Sequence, residues 1–185
     1  TECFACGTVS STTSYVGGFG GWIGSSSSVS DCYANAIVSG TDRVGSFVGH
    51  AQNNTTTFTR CYAAGSASGS SNAGGFAGYL SYSPVLADCF AQTPSTAMAG
   101  VTVLDAAGMR STNSLAAFQS AGCWTQQDGL TQPYFAWGLV DGGFLLSADA
   151  ATVTGLGAYA PGTQVPISID PAGGIFLGWT GGATY

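Results

Sequence analysis

Asp31-Cys32-Tyr33-Ala34, Arg60-Cys61-Tyr62-Ala63 and Asp88-Cys89-Phe90-Ala91 are one pattern written three times, and Glu2-Cys3-Phe4-Ala5 is a fourth copy. The cysteines recur at intervals of 29, 29 and 28 residues. A second block keeps phase with the first: Val16-Gly17-Gly18-Phe19-Gly20-Gly21, Val44-Gly45-Ser46-Phe47-Val48-Gly49 and Ala73-Gly74-Gly75-Phe76-Ala77-Gly78. A fixed period of this length marks a repeat architecture in which each unit buries its apolar face against its neighbours. No 3.6-residue apolar period runs through the units, so a helical solenoid does not fit. Each unit reads as a Gly-rich strand around the Phe, a Ser/Thr/Asn loop, a strand through the Cys and a short third stretch such as Ile37-Val38-Ser39-Gly40. This predicts an all-β parallel solenoid (β-helix) of three to four coils over residues 1–100, with coils about 4.8 Å apart.

Strand alternation assigns the faces. Cys3, Cys32, Cys61 and Cys89 point inward with Ala5, Ala34, Ala63 and Ala91, whose small size suits a narrow interior. Phe19, Phe47 and Phe76 form a second internal stack. Phe4, Tyr33, Tyr62 and Phe90 then form an outer aromatic ladder; the reverse assignment, aromatics in and Cys out, is less favoured. Glu2, Asp31, Arg60 and Asp88 share the outer face, which places Arg60 between Asp31 and Asp88 as a charge ladder that helps to fix register.

Residues 101–138 break the period. Leu115, Ala116 and Phe118 suit one short helix over 111–120 with Ser111 or Thr112 as N-cap. Cys123-Trp124, a turn at Asp128-Gly129 and Pro133-Tyr134-Phe135-Ala136-Trp137 follow. Such a mixed segment is expected to close the open end of the solenoid, where strand edges stand unpaired. Residues 139–185 read as a small β module. Val165, Ile167 and Ile169 alternate with polar residues, Pro161-Gly162 and Pro171-Ala172-Gly173-Gly174 are turns, and Ile175 to Trp179 is a further strand.

Composition bounds the function. Charged residues are 6% of the 185, the net charge is −6, lysine is absent, and Arg43, Arg60 and Arg110 are the only strong bases. That argues against nucleic acid and against an anionic membrane surface, both of which need a basic face. Aromatics at 12% argue against a disordered Gly/Ser chain. No apolar run is long enough to span a bilayer. The start at Thr1, without Met or signal peptide, suggests a processed product or an excised piece. Six cysteines in a Ser/Thr/Gly-rich chain suggest export. Cys3–Cys32 and Cys61–Cys89 are within reach of oxidation on neighbouring coils, and buried free thiols are the alternative. Asn53-Asn54-Thr55 and Asn54-Thr55-Thr56 match the glycosylation sequon but read as a polar loop.

The Gly-Gly-Phe and Asp-Cys-Tyr-Ala units resemble the GLUG-motif repeats of bacterial surface proteins, which also occur beside IgA1-cleaving metallopeptidases. The stretch Gly108-Met109-Arg110-Ser111, Phe118, Gly122-Cys123-Trp124, Gly129 and Gln132 to Trp137 is similar to the segment that closes such arrays. Gly157-Ala158-Tyr159-Ala160-Pro161-Gly162-Thr163 through Gly178-Trp179-Thr180-Gly181-Gly182 resembles a divergent internalin-type B repeat. The resemblance implies an extracellular, envelope-attached or adhesin-like protein. The sequence departs from the family pattern in two places: no Gly-rich strand precedes Glu2, and the terminal module stops before the closing strand such repeats usually have.

Catalytic chemistry finds little material. His50 is the only histidine; it aligns with Trp22 and Tyr79 just after the Gly block and reads as a turn residue. A His-based triad or zinc site has no partners. Asp31 and Asp88 lie two coils apart with Arg60 between them, which fits a charge ladder better than the carboxylate pair of a glycosidase. Asp105, Asp128, Asp141, Asp149 and Asp170 are scattered, and several read as turn residues. Cys3-x-x-Cys6 has no second pair and its members face opposite sides of a strand. The Gly-rich blocks lack the Lys and helix of a phosphate loop. No catalytic residue, metal ligand or cofactor is therefore assigned.

The reading is a non-enzymatic extracellular structural segment, a stalk, fibre or adhesin part of a bacterial surface. Its expected partners are further copies of itself, joined end to end into filaments through open strand edges, or other surface proteins. A carbohydrate-binding module using Tyr33, Tyr62 and Tyr82 is the first alternative, with glycans as partner, and a polysaccharide-active β-helix enzyme is the second.

Overall fold

The computed structural model describes residues 1–24 and 26–135, and beyond them the backbone of four short strands. The first unit, residues 1–138, is a parallel β-solenoid with three sides. Side A stacks β1 (Cys3–Ser10), β4 (Ser28–Ser39), β7 (Thr57–Ala63), β11 (Val85–Gln92) and β12 (Val101–Leu104), with β8 (Ser66–Ser68) beside the second half of β4. Side B stacks β2 (Val16–Gly17), β5 (Asp42–Gly45) and β9 (Ser71–Gly74). Side C stacks β3 (Gly20–Ile23), β6 (Val48–Gln52) and β10 (Ala77–Ser81).

The register follows the sequence repeat. Cys3 pairs with Cys32, Cys32 with Cys61 and Cys61 with Cys89, and the aromatic and alanine positions stay in step. Ala34, Ala63 and Ala91 are buried inside with Cys32, Cys61 and Cys89. Phe19, Phe47 and Phe76 form the expected internal stack, with centroids 4.7 and 4.9 Å apart and planes within 13° of parallel. Phe58 meets Phe47 and Phe76 edge-on. Val16, Ala36, Val38 and Val44 fill a second, smaller core where side A turns into side B.

Two devices bend each coil. The first is the Gly-x-Phe-x-Gly block at the corner between sides B and C. A Cβ on Gly45 would stand 2.0 Å from the Val48 carbonyl oxygen, and one on Gly49 would stand 2.5 Å from the Gly21 carbonyl of the coil below. Only a residue without Cβ allows these approaches. The second was not visible in the alternation pattern. Glu2, Asp31, Arg60 and Asp88 all take left-handed backbone, with φ of 54°, 54°, 50° and 53°. The ladder steps over them, pairing Ser30 with Thr59 and then Cys32 with Cys61. Phe58 and Cys61, three apart, consequently both face the interior, which a plain strand would forbid. Tyr15, Arg43 and Asn72 repeat the same left-handed kink on side B, Tyr15 just before β2 and Arg43 and Asn72 within β5 and β9.

The next step on side A is only twelve residues, from Cys89 to Val101, so Val101 rather than a fifth cysteine stacks on Cys89. The following segment carries a 3-10 turn (Gly108–Arg110), one turn of helix α1 (Ala116–Gln119), and an antiparallel pair, β13 (Trp124–Thr125) with β14 (Tyr134–Phe135). The helix is shorter than the sequence suggested. Leu115 occupies its N-cap position without a side-chain cap bond, while Ser111 Oγ accepts from the Ser114 amide. Thr112 is held instead by Asp128, which accepts from both its amide and its hydroxyl. Within the 101–138 segment β12 covers the outer edge of β11, and the residues after it turn to the flank of side A. Met109, Leu115, Phe118, Trp124 and Phe135 pack along the flank of side A against Phe4, Tyr33, Tyr62 and Phe90. Burying the rings of the aromatic ladder there removes apolar area from water.

The second unit, residues 139–185, contains β15 (Phe144–Leu146) antiparallel to β17 (Gly157–Tyr159) and β16 (Val153–Thr154) antiparallel to β18 (Ser168–Ile169). The expected strand through Val165, Ile167 and Ile169 is described only at Ser168–Ile169, and the strand from Ile175 to Trp179 lies outside the described residues.

Candidate functional site

The cysteine ladder is structural. Cys32, Cys61 and Cys89 are buried, all six cysteines are free thiols, and Cys3 and Cys6 are exposed. The Cys61 thiol and burial both push the Cys32 thiol up. Cys61 is pulled down by Cys32 but pushed up more by Cys89 and by burial, to about 12. These thiols stay protonated at neutral pH and act as small core residues.

The aromatic ladder stacks as expected: Phe4 on Tyr33 at 5.2 Å and Tyr33 on Tyr62 at 5.0 Å, nearly parallel. It lies outside the coils but not on the surface. Tyr62 is 2% exposed and Phe90 8%. The Tyr62 hydroxyl donates to the Pro133 carbonyl at 2.5 Å, and burial holds its phenol well above the ordinary range. Phe118 meets Tyr62 edge-on, and Trp124 tilts against both Tyr33 and Tyr62. The segment after β12 thus covers the Tyr62 and Phe90 rings and leaves them no face for a glycan, while Phe4 and Tyr33 are half-buried.

The charge ladder is half present. Arg60 donates from Nε and Nη2 to the two carboxylate oxygens of Asp31 at 2.6 and 2.7 Å. Trp124 Nε1 adds a third bond to Asp31 Oδ1 at 3.0 Å, from 93 residues away. Burial alone would raise the Asp31 carboxyl, but the Arg60 and Trp124 bonds outweigh it and hold it below the ordinary carboxylate value. Asp88 lends Arg60 only a longer-range attraction and makes no ion pair among the described residues. The planar guanidinium fork is already committed to Asp31. Asp31 thus belongs to the clamp that fastens the flanking segment.

A different surface gathers exposed side chains with polar neighbours. Trp22, His50 and Tyr79 share one ladder on the outer face of side C. His50 is a strand residue of β6, not the turn residue the alignment suggested. Its ring stacks on Tyr15 at 5.6 Å and tilts against Tyr79 at 5.4 Å, and Nε2 bonds the Ser81 hydroxyl at 2.8 Å. Burial, then the Arg43 charge, lowers its pKa, so it is neutral at pH 7. The Arg43 guanidinium lies between the Tyr15 and Tyr79 rings, 4.8 and 5.3 Å from their centroids. It bonds the Tyr15 hydroxyl and faces Asp42 at 3.6 Å. Asp42 accepts from Asn72 and Ser71, which lower its pKa and keep it ionised.

Trp22 is 52% exposed and Tyr79 41%. The outer ring of the Trp22 indole and the Gln52 carbonyl both lie within 3.4 Å of where a Cβ on Gly24 would stand, so glycine lets the indole lie flat over the strand. Gln52 in turn lines an open depression with Asn53, Asn54 and Tyr82. Tyr82 is 74% exposed and has left-handed backbone. The signal for this surface was present in sequence, since three ring-bearing residues occupy one repeat position. It was masked because one of the three was read as a lone histidine.

Comparison with protein-family models, curated proteins and solved structures gives no match for this chain. Function is therefore argued from geometry. Among the described residues no group of three or more His, Cys, Asp or Glu side chains is placed to hold a metal ion, and no helix is long and apolar enough to cross a membrane.

Proposed function

We propose that this chain is a structural segment of an extracellular, surface-attached bacterial protein of the GLUG-repeat type: a short rigid rod that spaces or displays other modules. The observation that carries the reading is the clamped flank, in which Asp31, Arg60, Tyr62 and Trp124 tie the closing segment to the coils. These four bonds hold the segment rigidly to the coils. Uninterrupted ladders of Cys, Ala and Phe support the same reading, because each coil gains its core only from its neighbours. Among the described residues β1 has a strand neighbour on one side only. Its free edge offers backbone donors and acceptors to a further strand, from a second copy or another surface protein. Light scattering on the whole chain reads the self-pairing, with particle mass rising as concentration rises; an invariant monomer mass rejects it.

Antibodies raised against the folded chain test the location. They should label intact cells of the source bacterium, and labelling that requires permeabilised cells would overturn the extracellular reading.

A further inference from the structure

The outer face of side C carries a surface that a spacer does not need. Trp22 and Tyr79 stand exposed two coil steps apart on one straight ladder, about 10 Å at the usual strand spacing, with His50 as the floor between them. Beside them the depression lined by Gln52, Asn53, Asn54 and Tyr82 offers amide donors, amide acceptors and a phenol.

We propose that this face binds an uncharged, extended β-linked polysaccharide, with pyranose faces on Trp22 and Tyr79 and hydroxyls on the amides of Gln52, Asn53 and Asn54. Three features select this occupant. The exposed apolar groups here are flat rings rather than aliphatic side chains, which suits the axial C–H face of a sugar better than the core of a protein interface. The one cation, Arg43, lies between two tyrosines and opposite the ionised Asp42, so the face has no unmatched positive charge for phosphate, sulfate or carboxylate. A β-1,4-linked chain is a ribbon whose sugars advance by a distance comparable to the coil spacing, so alternate residues meet Trp22 and Tyr79. A helical α-linked glucan does not keep that line. Gly24 contributes by letting the indole lie flat.

The inference goes beyond the rod reading and does not rest on it. Loss of glycan binding leaves a surface-exposed rod intact, and permeabilisation-dependent labelling leaves a glycan binder intact.

The test is calorimetric titration of the whole chain with cellohexaose, chitohexaose and maltohexaose, repeated on Trp22→Ala, Tyr79→Ala and the control Ile37→Ser, which alters an exposed residue of side A. Saturable binding of cellohexaose or chitohexaose below about 1 mM is expected. Binding should weaken at least about tenfold in each aromatic variant, with cooperative unfolding retained, and stay unchanged in Ile37→Ser. The proposal is overturned if neither β-linked hexamer binds, if maltohexaose binds better, or if both aromatic variants bind like the unaltered chain.

Discussion

Replacing Asp31 by Asn isolates the charge in the flank clamp. Asn is nearly isosteric and tolerates the left-handed backbone at this position (φ 54°) about as well as Asp. It keeps one carbonyl oxygen, enough for the Trp124 indole. It loses the second acceptor and the negative charge that Arg60 grips at 2.6 and 2.7 Å. A hydrogen bond to a charged group contributes roughly 1.5–3 kcal/mol net. The Arg60 side chain is 29% exposed, so water takes over part of what the carboxylate supplied. The expected loss is therefore about 1–2 kcal/mol, or roughly 3–8 °C in unfolding temperature for a unit of this size. The pH dependence gives the sign. The folded carboxyl titrates below its ordinary value. Its contribution is fully present above the unfolded pKa, near 4, and disappears as pH falls through the folded value. Urea unfolding of the two proteins at a series of pH values should show the gap at neutral pH and a closing gap under acid. Equal stability at pH 7, or a gap that persists unchanged well below pH 3, would refute the clamp.

Three further outcomes test the interior. Phe47 is fully buried between Phe19 and Phe76, so Phe47→Ala should cost about 3–5 kcal/mol and be read directly as a lower urea midpoint; a cost under about 1 kcal/mol would mean that the stack does not hold the coils together. Native thiol labelling at pH 8 should modify Cys3 and Cys6 quickly and reach Cys32, Cys61 and Cys89 only on unfolding. Because Cys32 and Cys61 resist ionisation when folded, stability should also fall as pH rises above about 9, where the unfolded chain's thiols ionise.

The solenoid was legible because its determinants are local and repeated: a small residue where the interior narrows, a Phe at every turn, and glycines where two backbones meet. What escaped the pattern was of two kinds. The left-handed residue before each cysteine breaks the period-two rule, so that Phe58 lies inside beside Cys61, and no residue type announces it when Glu, Asp and Arg all occupy the position. The placement of the closing segment was the other, because the contacts that decide it, Trp124 to Asp31 and Pro133 to Tyr62, join residues 93 and 71 positions apart. The ladder of Trp22, His50 and Tyr79 follows from the same repeat, but three different ring types at one position carry no acid–base or ligand pattern that marks them in the sequence.

The flanking segment also ties the coils to one another. It runs along the rings of four successive coils, from Phe4 to Phe90. Duplicating residues 32–60 would add a coil that stacks without difficulty on its neighbours. It would also add a tyrosine with nothing to lie beneath, and would pull the Asp31 and Pro133 anchors out of step with each other. A coil between the two anchors therefore cannot be gained or lost by simple duplication without releasing the segment at its side.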